Sequence, residues 1–326
     1  MWRPASTRCP GGRGEAAISD SGEGSTMPKG ARVIEGHEVA RDMLREVHHD
    51  ILELSEVHRL TTTLAIVVVG DDFNTLRLIQ NKCQRAEDAG VRVQLHTLPP
   101  ETSDDEVITV IEGLNHDERV HGILVQHYLP RYRDARRLIE AVDPVKDVDG
   151  FHTRNAGLLA NDAPAFVPCE ALAGMHLIKQ FVDARPIGWH ACVVGDTHRT
   201  GRPAARLLLN ERCTVTIANE DTRDLAEVSR QADILIAATN RAGMIRPRHV
   251  KPGAAVIDLG RSRVTVNDEL RIVGDVRLDA VREVAGWVTP VPGGVGPVAV
   301  AMLMRNVVTA CRRQNRVDEK ARHAAG

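Results

Sequence analysis

The chain has few aromatic residues, no cysteine pattern, no long apolar run and almost no net charge, and each absence removes a class of protein. Aromatics make up 3% of 326 residues, against 43% hydrophobic residues, so the cores must be aliphatic: Val, Leu, Ile and Ala. The formal net charge of −2 leaves no global basic field to recruit nucleic acid or an anionic membrane. Six cysteines (Cys9, Cys83, Cys169, Cys192, Cys213 and Cys311) stand without CxxC or Cys/His ligand spacing. Buried thiols in a reducing compartment, the cytoplasm, explain them better than disulfides or zinc. No apolar run reaches the ~18 residues of a membrane span. The histidines are dispersed, and neither HExxH nor GxSxG occurs, so no metal site or serine nucleophile turn is expected.

What is present is length and alternation. A chain of 326 residues is expected to form two domains, each able to bury its own core. Residues 1–31 are rich in Gly, Ser, Arg and Pro and read as disorder. They lack an apolar h-region, and Glu15, Asp20 and Glu23 argue against a transit peptide; Met1 and Met27 both stand as candidate starts. From residue 36 the pattern alternates. A helix over 36–57 precedes the β-branched run Thr63–Val69, which ends at Gly70 and reads as a strand buried on both faces. A helix over 74–88, a strand over 91–98, a helix over 104–114 and a strand over 122–126 complete a β-α-β-α-β order, the signature of a parallel sheet covered by helices. A short helix over 134–141 leads to the polar connector 143–151, and a domain boundary is placed near Gly150. After a bridging helix (170–181), a second series begins with strands over 189–194, 214–218, 234–238 and 254–259.

The expected fold is therefore α/β with two domains: an N-terminal α/β sheet domain, then a Rossmann-like dinucleotide-binding domain, with a cleft between them. The expected extents are 32–150 plus a C-terminal helix at 304–318 for the first, and 151–303 for the second. In such sheets ligands bind beyond the carboxyl ends of the strands, where Gly70 and Gln126 fall. The turn Gly195-Asp196-Thr197-His198-Arg199-Thr200-Gly201-Arg202-Pro203 follows the first strand of the second unit, the phosphate-facing position of a dinucleotide fold. It is not GxGxxG, so alone it is a weak signal.

Thr75, Leu78 and Lys82 share one helical stripe. Lys82 is either a solvated surface lysine or a cleft amine whose desolvation favours proton transfer. Gln126 either holds that amine or meets water at a strand end. Asp149 either binds a ring bearing adjacent N–H donors through both oxygens or caps a turn. Near the C-terminus, Thr289-Pro290-Val291-Pro292-Gly293-Gly294-Val295-Gly296-Pro297 combines a rigid, extended entry with glycines that let main chain lie against a flat ligand. Pro297 is expected at the first position of the apolar helix that follows.

That string closely resembles the PVPGGVGP signature of the FolD family, methylenetetrahydrofolate dehydrogenase/cyclohydrolase. The resemblance runs from about Val33 to Cys311. It also rests on Gly122–Gln126, Lys146–His152 with Asn155 and Gly157, Pro168-Cys169, Gly201-Arg202-Pro203, Val256–Gly260 and Val273–Val276. It implies oxidation of 5,10-methylenetetrahydrofolate with NADP, or NAD, then hydrolysis of the methenyl product to 10-formyltetrahydrofolate. By position it implies that Lys82, Gln126 and Asp149 are catalytic and that Thr75, Leu78, Gly293, Gly294 and Pro297 contact the substrate. Gly195, Asp196, Thr197, Gly201, Arg202, Glu220 and Arg261 would contact the dinucleotide. It further implies a homodimer formed through the nucleotide domain. The partners are then tetrahydrofolate and a dinucleotide, with neither nucleic acid nor membrane.

The departures are specific. Leu78 stands where the family has tyrosine, losing an aromatic platform and a hydroxyl beside the lysine. Tyr128, in Gln126-His127-Tyr128-Leu129-Pro130, is a candidate to compensate. Pro168-Cys169-Glu170-Ala171 replaces PCTP, and Val298-Ala299 replaces Met-Thr. Asp196 stands where arginine is frequent, and Glu220 and Asp221 follow the second nucleotide-domain strand. Carboxylates there suit a ribose 2′-hydroxyl and repel a 2′-phosphate, which favours NAD over NADP relative to the family. Two other functions stay open. One is a diverged paralogue that binds folate or dinucleotide without efficient turnover. The other is an unrelated Rossmann dehydrogenase, for which the sequence offers no separate acid or base.

Overall fold

The computed structural model describes residues 30–70, 72–126, 135–266 and 269–317. In chain order the first elements are β1 (Arg32–Val33), α1 (Gly36–Glu56), β2 (Thr63–Val69), α2 (Phe73–Asp88), β3 (Arg92–Leu98), α3 (Asp104–His116), β4 (Gly122–Val125), α4 (Ala135–Glu140), α5 (Thr153–Ala160) and α6 (Cys169–Leu177). There follow β5 (His190–Val194), α7 (Gly201–Asn210), β6 (Thr214–Ala218), α8 (Leu225–Ser229), β7 (Ile234–Ala237), β8 (Ala255–Asp258), β9 (Ser262–Val266), β10 (Glu269–Val273), α9 (Leu278–Val281), β11 (Trp287–Val288) and α10 (Val295–Gln314).

β2 shows why the first sheet forms. All seven of its residues are buried, and the two-residue period of a strand sends alternate side chains to opposite faces. Leu64, Ile66 and Val68 meet the apolar stripe of α1 (Val39, Met43, Val47, Ile51) and the buried face of α10. Ala65, Val67 and Val69 meet Val107 and Ile111 of α3 and Leu138 of α4. β3 and β4 pair with β2 in parallel on either side, so the order is β3-β2-β4. Each fully buried Val, Leu or Ile contributes about 1.5–3 kcal/mol, so a strand buried on both faces fixes its register firmly.

The second sheet is also parallel, in the order β1-β11-β8-β7-β5-β6. Ala191, Val193, Ile234 and Ile236 of its middle strands face the same core that fills α1 and α10, while Cys192, Val194 and Leu235 face a separate one. A single hydrophobic core therefore runs from one sheet to the other through α6 and α10. At the far end of α10, buried Arg312 donates to Glu53 at 2.7 Å and lies 3.8 Å from Asp50, which locks that helix onto α1.

Several features differ from the sequence reading. β1 precedes α1 yet pairs with β11, so Arg32–Val33 belongs to the second sheet. The C-terminal helix is continuous from Val295 to Gln314 and does not begin at 304. Pro297 is its third residue, not its first. Proline is tolerated there because the N–H groups of a first helical turn have no intrahelical acceptor in any case. The antiparallel β9–β10 hairpin, α5, α9 and the two-residue strands β1 and β11 were not read from the sequence. The disorder expected before residue 30, Tyr128 and residue 318 lie outside the described residues.

Candidate active site

The carboxyl ends of β4, β8 and β11 converge on a cavity of about 460 Å³ between the two sheets, with α2, α6 and the first turn of α10 completing its wall. Lys82, Leu78, Gln126 and Asp149 line it from the first half of the chain. Pro290–Gly293, Val295–Pro297 and Arg261 line it from the second. Glycine is required in this loop. Gly293 sits at φ +109°, and its carbonyl accepts from the Gly36 amide at 2.8 Å. A Cβ on Gly36 would fall 1.8 Å from the Gly294 carbonyl oxygen, so the start of α1 clamps the loop by backbone contact alone. A Cβ on Gly296 would meet nothing within 4 Å, which leaves bare main chain on the cavity wall.

Gln126 is 2% exposed; its amide N–H pairs with Val67, but its side-chain Oε1 is buried without a hydrogen-bond partner. An orphaned buried acceptor is expensive, and a cavity wall is where a ligand or the Lys82 ammonium satisfies it. Lys82 is half-buried and has no hydrogen-bond or ion-pair partner among the described residues. Its field is the strongest one lowering both Asp149 and Glu170. Asp149 is half-buried beside the Cys169 thiol, whose proton goes to the Val148 carbonyl at 3.7 Å. Burial pushes its carboxyl up to about 7, against the pull of Lys82. Leu78 reaches the cavity on the same helical face as Lys82. The side chain of Thr75 lies outside the described residues.

The expected dinucleotide residues are spread more widely. Gly195, at φ +118°, closes the turn after β5. A Cβ there would lie 2.2 Å from the Ala238 carbonyl oxygen, and one on Gly201 would lie 1.7 Å from that of Gly195. Thr197 and Thr200 hydroxyls meet at 2.8 Å across the turn. Asp196 is partly exposed, 4.0 Å from Arg202. Glu220, just beyond β6, is held by Arg241 at 2.6 Å. Of the seven, only Arg261 lines the main cavity; Arg202 instead lines a second one of about 680 Å³ between α4, α5 and α7.

The cavity also contains groups that the sequence reading did not place there. Asp258, 2% exposed, ends β8 and accepts from the amides of Gly260, Asp275 and Val276 at 2.9–3.1 Å. Burial raises its carboxyl to about 7. Glycine at 260 and 274 makes room for this arrangement, because a Cβ at either would lie 2.0 Å from the carboxylate of Asp275 or Asp258. Glu170, in the first turn of α6, also faces the cavity. Lys146 is structural: its ammonium is buried and donates to the carbonyls of Leu114 and Asp117 at 3.0 and 2.8 Å.

Comparison with known proteins decides the family. The model of the tetrahydrofolate dehydrogenase/cyclohydrolase catalytic domain matches residues 34–149, and that of the family's NAD(P)-binding domain matches residues 168–315. The chain belongs to the tetrahydrofolate dehydrogenase/cyclohydrolase family. It is an enzyme of that kind, a methylenetetrahydrofolate dehydrogenase and methenyltetrahydrofolate cyclohydrolase. Bifunctional protein FolD 2 of Paracoccus denitrificans is 46% identical over 290 residues, covering 89% of this chain and 96% of that protein. The crystal structure of FolD from Campylobacter jejuni superposes with a TM-score of 0.83 at 33% identity, covering 88% of this chain and 100% of that one. The Trypanosoma brucei enzyme, complexed with NADP and an inhibitor, gives a TM-score of 0.84 at 32% identity, covering 88% and 99%. No described helix is long and apolar enough to cross a membrane.

Proposed function

We propose that this chain runs both half-reactions in the 460 Å³ cavity, with Asp149 holding the pterin and Lys82 handling protons at the one-carbon bridge. The observation that carries the reading is the shared wall. An amine from α2, a carboxylate from the domain connector and a bare glycine edge from the last helix face one space between two parallel sheets. A pterin offers adjacent N–H donors, and a carboxylate accepts them pairwise. Gln126, through its unpartnered Oε1, orients the Lys82 amine. The glycine loop lets substrate and nicotinamide approach face to face, and proximity of that kind replaces a bimolecular encounter.

The dinucleotide is NADP, as in the Trypanosoma brucei complex, and it lies across the carboxyl ends of β5 and β6. Gly195, Thr197 and Gly201 shape the pyrophosphate turn there. NAD is accepted as well, because Asp196 and Glu220 present carboxylates to a ribose diol. The Glu220–Arg241 pair is the cofactor selector: Glu220 serves the 2′-hydroxyl of NAD, and Arg241 is the cation available to the 2′-phosphate of NADP. When bound, the cofactor supplies the hydride acceptor.

The folate-binding unit is residues 34–150 with the C-terminal helix Val295–Gln314, and residues 151–294 together with Arg32–Val33 form the dinucleotide unit. Two copies associate through the latter, a reading supported by exposed Ile217 on the outermost strand, β6, and exposed Leu209 on α7. The working compartment is the cytoplasm, in keeping with the five free thiols among the described residues. The test is a spectrophotometric assay with methylenetetrahydrofolate and each dinucleotide, run beside Lys82→Met. Turnover lost in the variant supports the reading. Unimpaired turnover, or tight folate binding without turnover in the wild type, contradicts it.

A further inference from the structure

We propose that Glu170 is the general base of the hydrolytic half-reaction, taking a proton from the water that attacks the one-carbon bridge. The proposal rests on the functional reading above and adds a residue to it. Among the described residues, three with side-chain carboxylates line the cavity: Asp149, Asp258 and Glu170. Asp258 is committed to three backbone amides. Asp149 is taken, in the functional reading, by the pterin. Beyond its own backbone amide, Glu170 has no side-chain hydrogen bond or ion pair among the described residues. It is the second residue of α6, whose N-cap, Pro168, forms no side-chain cap.

The neighbours of Glu170 suit the task. Its position directly after Cys169 sets it beside the Asp149 anchor, and the Lys82 field acts on it ahead of those of Arg261 and Arg199. Burial nevertheless raises its carboxyl above the ordinary glutamate value, which gives it a stronger hold on a proton than a surface glutamate has. Leu78 brings no hydroxyl to the same space. His37, the imidazole on the wall, is exposed at the rim, with its Nε2 3.7 Å from where a Gly293 Cβ would be.

The step balances. Water adds to the cationic methenyl carbon as Glu170 takes one of its protons, giving a neutral hydroxyl adduct and a carboxylic acid. The Lys82 ammonium then protonates N5 as the carbon–N5 bond breaks. The adduct's hydroxyl proton returns to the Lys82 amine as the formyl C=O forms on N10. Glu170 releases its proton to solvent, so one water is consumed and one proton is set free.

The experiment compares wild type, Glu170→Gln and Glu170→Asp in two assays: hydrolysis of added methenyltetrahydrofolate, and hydride transfer from methylenetetrahydrofolate. In Glu170→Gln, hydrolytic kcat should fall about a hundredfold or more, while hydride transfer stays within about threefold. The rise of hydrolysis with pH on its acid side should vanish in that variant and persist in Glu170→Asp, which keeps a titrating base even if slower. Hydrolysis within about threefold of wild type with the same acid limb overturns the proposal, as does an equal loss in both assays with an unchanged pH profile. A wild type that transfers hydride but does not hydrolyse overturns it while sparing the dehydrogenase assignment. A wild type inactive in both removes the functional reading and the proposal together.

Discussion

Replacing Asp149 by Asn should stabilise the ligand-free protein at neutral pH while weakening its hold on folate. Burial places the Asp149 carboxyl at about 7, against an ordinary 3.8, and Lys82 offsets only part of the rise. A carboxyl whose native pKa lies above its unfolded value is a charge the folded state resists. Below about pH 3.8 both states are protonated and nothing is lost. Between there and about 7 the unfolded chain ionises first and stability falls; above 7 the loss is complete. At about 1.4 kcal/mol per pH unit that interval sets a ceiling near ~4 kcal/mol. Partial solvent access reduces the expected gain to about 1–2 kcal/mol. Asn matches the volume of Asp and carries no charge. Its ligand-free form should melt about 1.5–3 °C higher than wild type at pH 8 and level with it at pH 4. Folate affinity should drop about 10- to 100-fold, the worth of a charged, paired hydrogen bond. Differential scanning calorimetry across pH, with folate titrations alongside, measures both. A melting difference that does not change between pH 4 and pH 8, or a variant less stable at pH 8, refutes the reasoning.

Three further outcomes follow from the geometry. Gly36→Ala forces a Cβ to within 1.8 Å of the Gly294 carbonyl oxygen; thermal unfolding should show a loss of about 1–3 kcal/mol, and KM for folate should rise as the glycine edge is displaced. Arg241→Ala removes the partner of Glu220, so equilibrium titration should show NADP affinity falling about tenfold with NAD affinity little changed; equal losses for both remove the selector role. Leu78→Tyr should raise activity by returning an aromatic face beside Lys82, worth about 0.5–1.5 kcal/mol. A fall in kcat/KM there shows instead that the pocket is built around leucine.

The features legible in the sequence were those with long periods or specific strings. β2 is a seven-residue β-branched run buried on both faces, and α1 is a 21-residue amphipathic helix; in both the burial pattern is strong enough to read without tertiary information. Gly293, Pro297, Lys82, Gln126 and Asp149, singled out by string and spacing, line one cavity, whereas Gly294 of the same string is buried and does not line it. What the sequence concealed depends on distant partners. β1 and β11 are two residues each, too short for any period, and exist only because they pair with one another and with β8. The β9–β10 hairpin carries the alternation Ser262-Arg263-Val264-Thr265-Val266 up to Asn267-Asp268, a turn signal that could have revealed it. Glu170 was visible as a departure from the family string, but its place on the same cavity wall as Lys82 depends on how α6 and α2 are brought around that cavity. The Glu220–Arg241 pair joins residues beyond β6 and β7, which only the parallel sheet brings together.

The central claim is spatial, and a crystal structure of the protein with a tetrahydrofolate analogue and NADP tests it most directly. The account predicts pterin nitrogens on the Asp149 carboxylate, the one-carbon bridge between the Lys82 amine and the Gly293–Gly296 main chain, and the nicotinamide ring on the side of the second sheet. Folate seated instead in the 680 Å³ cavity between α4, α5 and α7, with Lys82 touching neither ligand, would contradict it.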